Sequence, residues 1–177
     1  MNKTYRKDNR TEAQFEKDIK QRTSKEKFLI DLYAAEMEHL GWNVIVKDNG
    51  TDNSGKVQDK ATADADYLVY LDDECMLIEV KNSWVSTKWT FKTHNLKRYV
   101  KAGANILVFW NTGKLDSDPE KIDLEKTRYG IIIPEKIEYM LAEYTHYSER
   151  AFGNKMCVQI PKADFANLVK VKRITHR

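Results

Sequence analysis

The feature that most constrains the fold is a pair of apolar segments around an acidic turn, YLVYLDDECMLIEVKN, residues 67–82. Both segments are short and rich in β-branched and aromatic residues, a composition typical of strands. If Asp72 and Asp73 form a two-residue loop, the segments close as an antiparallel hairpin in which Leu71 pairs with Glu74. The sequence therefore predicts a hairpin at the start of a β-sheet.

Counting outward from this turn places charged residues opposite one another. Asp66 falls opposite Glu79 and Asp64 opposite Lys81, and paired residues point to the same face. Because side chains alternate along a strand, Glu79 and Lys81 also share one face. The predicted register thus gathers Asp66, Glu79 and Lys81, whereas a three-residue loop would separate Asp66 from Glu79.

Two carboxylates directly opposite each other repel and need compensation. Mg²⁺ provides it, because this ion prefers oxygen ligands, uses one or two carboxylates and keeps several waters. A neighbouring lysine can orient or deprotonate a water, or hold a phosphate oxygen. This chemistry suits phosphodiester hydrolysis. The competing interpretation is a solvated Glu–Lys pair on a surface hairpin.

The rest of the chain alternates helical and strand patterns. Residues 11–40 predict helix, with Thr11 and Ser24 as caps and a break near Thr23. The polar residues 47–64 predict a loop. The remaining predicted strands are 42–46, 105–111, 129–133 and 155–160, and the remaining predicted helices are 91–104, 134–146 and 163–169. This order predicts an α/β fold with a central mixed sheet flanked by helices.

Composition limits the class of protein. A chain of 177 residues with 41% hydrophobic and 32% charged residues predicts one globular domain. The net charge of +3 permits a local basic face without proving one.

The N-terminus lacks the apolar core of a secretory signal, and no apolar run is long enough to span a bilayer. We therefore expect a cytoplasmic protein with no membrane partner. Cys75 and Cys157 are predicted to be reduced, partly buried thiols.

The charged pattern resembles the PD-(D/E)xK nuclease superfamily, in which an acid begins one core strand and an acid-x-Lys triplet ends the next. The matching residues are Asp66 in ADADY and Glu79-Val80-Lys81 in LIEVKN, with Ala65 where the name has proline and Asp64 as a substitute acid. The resemblance implies a restriction-endonuclease-like αβββαβ core. It also implies that Asp66, Glu79 and the Val80 carbonyl bind Mg²⁺ or Mn²⁺, that Lys81 positions the attacking water, and that cleavage leaves a 5′-phosphate and a 3′-hydroxyl.

The segment RTSKEKFLIDLYAAEMEHLGWNVIV resembles the opening of archaeal Holliday-junction resolvases. Glu26 matches the helix glutamate that holds a second metal or its waters, and Glu36 is a weaker candidate. The resemblance covers residues 23–112. It divides the chain into a charged arm or helix at 1–22 and one nuclease-like domain at 23–177, whose residues 113–177 elaborate the core. Relatives of this kind act on duplex or branched DNA, commonly as homodimers.

A basic and aromatic segment, WVSTKWTFKTHNLKRYVK, follows Lys81 and predicts contacts with DNA phosphates. Trp84 and Trp89 are equally compatible with base stacking and with core packing, whereas Tyr99 is predicted to be a core residue. The candidate nucleic-acid-binding residues are Ser83, Trp84, Ser86, Thr87, Lys88, Lys92, Lys97 and Lys101.

Three classes of function remain open at this point. The first is a metal-dependent DNA endonuclease. Its open subclasses are junction-resolving, structure-specific, nicking and restriction-like enzymes, including enzymes that process phage or mobile-element DNA. The second is a nucleic-acid-binding module with an inactive site. The third is an adaptor protein whose hairpin charges are surface pairs, which predicts no magnesium binding and no salt-sensitive DNA affinity.

Overall fold

The computed structural model describes residues 12–46, 67–83, 87–110, 122–150 and 154–174. The chain begins with α1 (Glu12–His39), a single continuous helix. The predicted break near Thr23 is therefore wrong. No proline or glycine lies between Glu12 and His39, and a Ser or Thr inside a helix costs only a few tenths of a kcal/mol. Gly41, with φ of 87°, then ends the helical segment as predicted.

Three antiparallel strands follow: β1 (Asn43–Val46), β2 (Tyr67–Leu71) and β3 (Glu74–Ser83). Leu71 pairs with Glu74, so the predicted two-residue turn is confirmed. Asp72 has a φ of 49°, the left-handed conformation that tight hairpin turns require and that aspartate tolerates. The described pairing of β2 with β3 runs from this turn to Tyr67 and Ile78.

The second half of the main sheet surrounds a buried strand. β5 (Ala104–Trp110) is buried along its whole length and lies parallel to β3. β6 (Arg128–Ile132) pairs antiparallel with β5, and the short β9 (Lys172–Arg173) pairs antiparallel with β6. The result is a mixed sheet with strand order β1-β2-β3-β5-β6-β9. The continuous apolar run NILVFW predicts this central, doubly covered strand.

A second, three-stranded sheet has the order β4-β8-β7. Its strands are β4 (Lys88–Lys92), β7 (His146–Glu149) and β8 (Lys155–Pro161). β4, β7 and β9 were not predicted as strands. In particular, the prediction of a helix at Phe91 is wrong, because that residue pairs with Val158. The pairing of β4 with β8 joins segments more than sixty residues apart, so no local pattern reveals it.

Helices cover both faces of the main sheet. α1 packs Leu29, Ile30 and Tyr33 into a cluster with Ile78 and Val80 of β3. On the other face lie α2 (Thr93–Ala102), α3 (Pro134–Glu143) and α4 (Lys162–Leu168), together with the inner side of the second sheet. The predicted class, an α/β fold with a mixed sheet flanked by helices, is confirmed at this level. None of the described helices is both long and apolar enough to cross a membrane.

Candidate functional site

The candidate site lies toward the carboxyl end of β3, on the face that α2 covers. Ile78 and Val80 point toward α1, so the alternating residues Glu79 and Lys81 point the other way. β3 lies between β2 and β5, and Glu79 and Lys81 face Ile106 and Val108 of β5 in the parallel ladder. The backbone that carries both charges is therefore part of the rigid centre of the sheet.

The Glu79 carboxylate is buried, since only 6% of the residue is exposed to solvent. A buried carboxylate is costly unless it is paired and hydrogen-bonded. The ammonium of Lys81 contacts Oε1 of Glu79 and also donates to the Val80 carbonyl at 2.9 Å. The Lys81 side chain keeps 36% of its surface exposed. The cluster therefore holds a buried anion and a cation that solvent can reach.

Tyr99 from α2 completes the cluster. Its hydroxyl donates a hydrogen bond of 2.6 Å to Oε1 of Glu79, and Nζ of Lys81 lies 6.0 Å from the centre of its ring. Leu96 and Tyr99 form the buried face of α2. Gly103 ends the helix in the left-handed conformation and donates its N–H to the Tyr99 carbonyl. Helix packing and the glycine stop thus position the hydroxyl.

The prediction that Tyr99 only packs in the core is incomplete. Its ring is buried as predicted, yet its hydroxyl bonds the site carboxylate. One sequence signal pointed toward this role. A buried tyrosine hydroxyl needs a polar partner, and the predicted Glu79 lies on a neighbouring buried strand. Locating that partner requires the tertiary packing of α2 on β3.

The donors around Glu79 are distributed unevenly. Lys81 and Tyr99 both contact Oε1, and no donor among the described residues contacts Oε2. The carboxylate therefore keeps one oxygen available to a further cation. The burial of Glu79 and its hydrogen bond from the buried Tyr99 distinguish the cluster from a fully solvated Glu–Lys surface pair.

The predicted partner acid, Asp66, and its substitute, Asp64, lie outside the described residues. The described ladder ends at the pair Tyr67–Ile78, and the next pair in the same register is Asp66 with Glu79. The two-residue turn on which that register depends is present. The opposition of Asp66 and Glu79 stays a prediction.

The two helix glutamates have different surroundings. Glu26 is half-buried on α1, and it follows Lys25, of which only 1% is exposed. The burial of Lys25 was not predicted from the sequence. A buried ammonium requires a polar partner, which makes Lys25 a residue of interest beside Glu26. Glu36 accepts a hydrogen bond of 2.9 Å from the hydroxyl of Tyr129 and so links α1 to β6. Glu36 is therefore a half-buried residue that joins two elements, not an exposed helix residue.

The candidate ligands are hard oxygen donors of the kind that Mg²⁺ prefers. Within the described ranges they are the Glu79 carboxylate and the Val80 carbonyl, and those ranges contain no cluster of three or more acidic, histidine or cysteine side chains suited to a metal. One carboxylate with a free oxygen fits a magnesium site that keeps several waters. A second carboxylate would have to come from the predicted position of Asp66.

The predicted nucleic-acid residues divide into three groups. Trp84, Ser86 and the side chain of Ser83 lie outside the described residues. Lys92 is half-buried. The others are exposed to solvent: Thr87, Lys88, Lys97 and Lys101.

Trp89 belongs to the core. It is 6% exposed, stacks on Phe165 with ring centres 5.2 Å apart, and stacks on Phe91 at 5.8 Å. Of the two interpretations that its sequence allowed, core packing is confirmed. The ring is covered by protein on the inner side of the second sheet and does not form a platform for a base.

Comparison with known proteins adds no assignment. No protein-family model matches the sequence, and a search of curated proteins found no significant match.

Proposed function

We propose that the chain is a metal-dependent DNA endonuclease with a restriction-endonuclease-like core of the PD-(D/E)xK type. The observation that carries the proposal is the cluster at the end of β3. There a buried glutamate is held on one oxygen by Lys81 and Tyr99, and no donor from the described residues contacts its second oxygen. The element order α1-β1-β2-β3, followed by α2 and β5, supports the same core, with β4 added before α2.

The protein's own residues divide the work of hydrolysis. Glu79 supplies a fixed negative charge, and Tyr99 sets the orientation of its carboxylate. The Lys81 ammonium, partly exposed on a flexible stem, orients a water for in-line attack and stabilises charge that develops on the phosphate. Cleavage of the P–O3′ bond would leave a 5′-phosphate and a 3′-hydroxyl.

Glu79, the Val80 carbonyl and the predicted Asp66 are the residues that would hold Mg²⁺ or Mn²⁺. When bound, the ion would supply Lewis-acid stabilisation of the phosphoryl oxygens. Lys81 donates to the Val80 carbonyl at 2.9 Å, so a metal held by that carbonyl would have to share it with the ammonium. Glu26 is proposed as a ligand of a second metal or of its waters.

The proposed substrate is duplex or branched DNA. Three exposed lysines follow the site in sequence and suit contacts with a phosphate backbone: Lys88, Lys97 and Lys101. A cytoplasmic location and a homodimer are part of the same proposal, since resolvase-like and restriction-like nucleases commonly act as dimers.

The test is a cleavage assay with wild type, Lys81→Ala and the control Lys170→Ala, which removes an exposed lysine near β6 and β9. The substrates are supercoiled plasmid, linear duplex, single strand and a four-way junction, each with Mg²⁺, Mn²⁺ or EDTA. We expect metal-dependent cutting by wild type and Lys170→Ala, and a loss of at least a hundredfold in Lys81→Ala, the scale typical of one lost electrostatic catalyst. Folded wild-type protein that cuts none of these substrates would refute the enzyme proposal.

A second candidate is a DNA-binding module without catalysis. The observation that favours it is the direct contact of Lys81 with Glu79, because such a pair already neutralises the carboxylate within the protein. This candidate predicts salt-dependent DNA binding in EDTA and no cleavage with either metal. An adaptor protein would show neither property.

A further inference from the structure

The Lys81 ammonium contacts the same groups that are proposed as metal ligands. It contacts Oε1 of Glu79 and donates to the Val80 carbonyl at 2.9 Å. A carboxylate and a carbonyl are also the hard oxygen donors that Mg²⁺ prefers. The ammonium and a divalent metal therefore have the same electrostatic reason to lie at this end of β3.

The Val80 carbonyl limits how far apart the two cations could lie. Mg²⁺ binds oxygen at about 2.1 Å, and Nζ of Lys81 lies 2.9 Å from this carbonyl oxygen. A metal on the same carbonyl would thus lie within about 5 Å of the ammonium, even if its other protein ligand were Oε2 of Glu79. Both Glu79 and Val80 are buried, so water screens the repulsion between the cations only weakly.

Lys81 is the member of the cluster best able to move. Its side chain keeps 36% of its surface exposed, whereas that of Glu79 keeps 9%. Glu79 belongs to β3, which lies between β2 and β5 in the main sheet, and Tyr99 is buried on α2. Repulsion would therefore displace the long, flexible lysine side chain rather than the carboxylate.

Tyr99 would keep Glu79 in place during such a movement. A buried carboxylate is costly unless it is paired and hydrogen-bonded. The Tyr99 hydroxyl donates to Oε1 at 2.6 Å and does not depend on Lys81 for its position, because α2 carries it. The positive charge that leaves with Lys81 is replaced by the charge of the metal. Glu79 thus stays compensated throughout the exchange.

We infer that Lys81 and a divalent metal compete for the oxygens of Glu79 and Val80, so that Lys81 turns toward solvent when the metal binds. The inference rests on the proposed function, to which the metal belongs. It gives the site an order of events, in which Lys81 reaches a water or a phosphate only after the metal has bound. The contact of Lys81 with Glu79 is then compatible with catalysis.

The first experiment measures Mn²⁺ affinity by electron paramagnetic resonance, without DNA. The proteins are wild type, Lys81→Met, Lys81→Arg and the control Lys170→Met, with circular dichroism to confirm that each is folded. We expect Lys81→Met to bind Mn²⁺ roughly tenfold more tightly than wild type, because it lacks the competing cation. Lys81→Arg keeps the positive charge and should bind less tightly than Lys81→Met. Lys170→Met, which changes an exposed lysine, should bind like wild type.

The second experiment needs no variant and follows the position of Lys81 itself. Lysine amines of the wild-type protein are labelled by reductive methylation in Mg²⁺ or in EDTA, and mass spectrometry measures the rate at Lys81. We expect Mg²⁺ to raise this rate roughly threefold, as its exposed share grows from 36% toward the whole side chain. The exposed Lys170 should be labelled at the same rate in both conditions.

Two results would overturn the inference: Mn²⁺ binding by Lys81→Met that is no tighter than in wild type, or Lys81 labelling that Mg²⁺ leaves unchanged. If wild type binds metal and cuts DNA while either result holds, only this inference fails. If neither wild type nor Lys81→Met binds Mn²⁺, the proposed metal site fails with it. The expected affinities and labelling rates without cleavage of any DNA would refute only the nuclease proposal.

Discussion

The hydroxyl of Tyr99 donates a hydrogen bond of 2.6 Å to Oε1 of Glu79, and it joins a helix to the central sheet at the predicted catalytic acid. The same oxygen receives the ammonium of Lys81. No donor among the described residues contacts the other oxygen of Glu79, so that oxygen can interact with a cation. This asymmetry is the main structural argument for a functional site rather than a surface ion pair.

Tyr99→Phe should therefore lower the free energy of unfolding. The substitution keeps the ring in the core but leaves a buried carboxylate with one donor fewer, at a cost of about 1–3 kcal/mol in the free energy of unfolding. Urea denaturation measures this loss. Tyr139→Phe is the matched control, because the side chain of Tyr139 is half exposed. Equal stability of Tyr99→Phe and wild type would contradict the importance of this hydrogen bond.

The identity of the second acid can be tested by Mn²⁺ binding. The described pairing ends at Tyr67 and Ile78, and continuing its register predicts Asp66, not Asp64, opposite Glu79. Asp66→Asn and Glu79→Gln should each weaken Mn²⁺ binding at least tenfold in calorimetry or electron paramagnetic resonance, whereas Asp64→Asn should bind like wild type. The reverse order for the two aspartates would assign the ligand to Asp64.

Tyr33 should contribute to the loss of stability at alkaline pH. Burial, with a smaller contribution from Glu36, raises the pKa of its phenol to about 12. A phenol whose pKa is higher in the folded than in the unfolded chain stabilises the fold fully below pH 10. That stabilisation is lost as the pH rises from 10 to about 12.

Tyr33→Phe tests this dependence. The Tyr33 hydroxyl has no hydrogen-bond partner among the described residues, so its removal should leave stability at pH 8 unchanged or raise it by up to about 1 kcal/mol. The loss of unfolding free energy between pH 8 and pH 11.5 should be smaller in the variant, by on the order of 1–2 kcal/mol. Parallel curves for the variant and wild type would show that Tyr33 does not set the alkaline limit.

Trp89→Ala should destabilise the protein by about 3–5 kcal/mol, as expected for deleting a buried aromatic ring. The ring stacks on Phe91 and Phe165 and so joins the second sheet to α4. Thermal unfolding measures the effect, with Tyr139→Ala as an exposed aromatic control. Binding of single-stranded DNA by the conservative variant Trp89→Phe should equal that of wild type, and a large loss there would indicate base stacking instead.

Several elements could be predicted from sequence because their signals are local. The acidic two-residue turn, the apolar run of β5 and the glycine that ends α2 each determine backbone geometry within a few residues. Alternation along β3 was enough to place Glu79 and Lys81 on one face. The proposed catalytic pair thus follows from the sequence alone.

Other features depend on contacts between distant segments. The second sheet pairs β4 with β8, the Tyr99 hydroxyl meets Glu79 through the packing of α2, and Tyr129 bonds Glu36 across ninety-three residues. The sequence by itself determined which residues are charged, which are apolar and how they alternate along each element. Only the tertiary structure decided which of those elements meet, because burial and hydrogen bonding between separate segments depend on the packing of the whole chain.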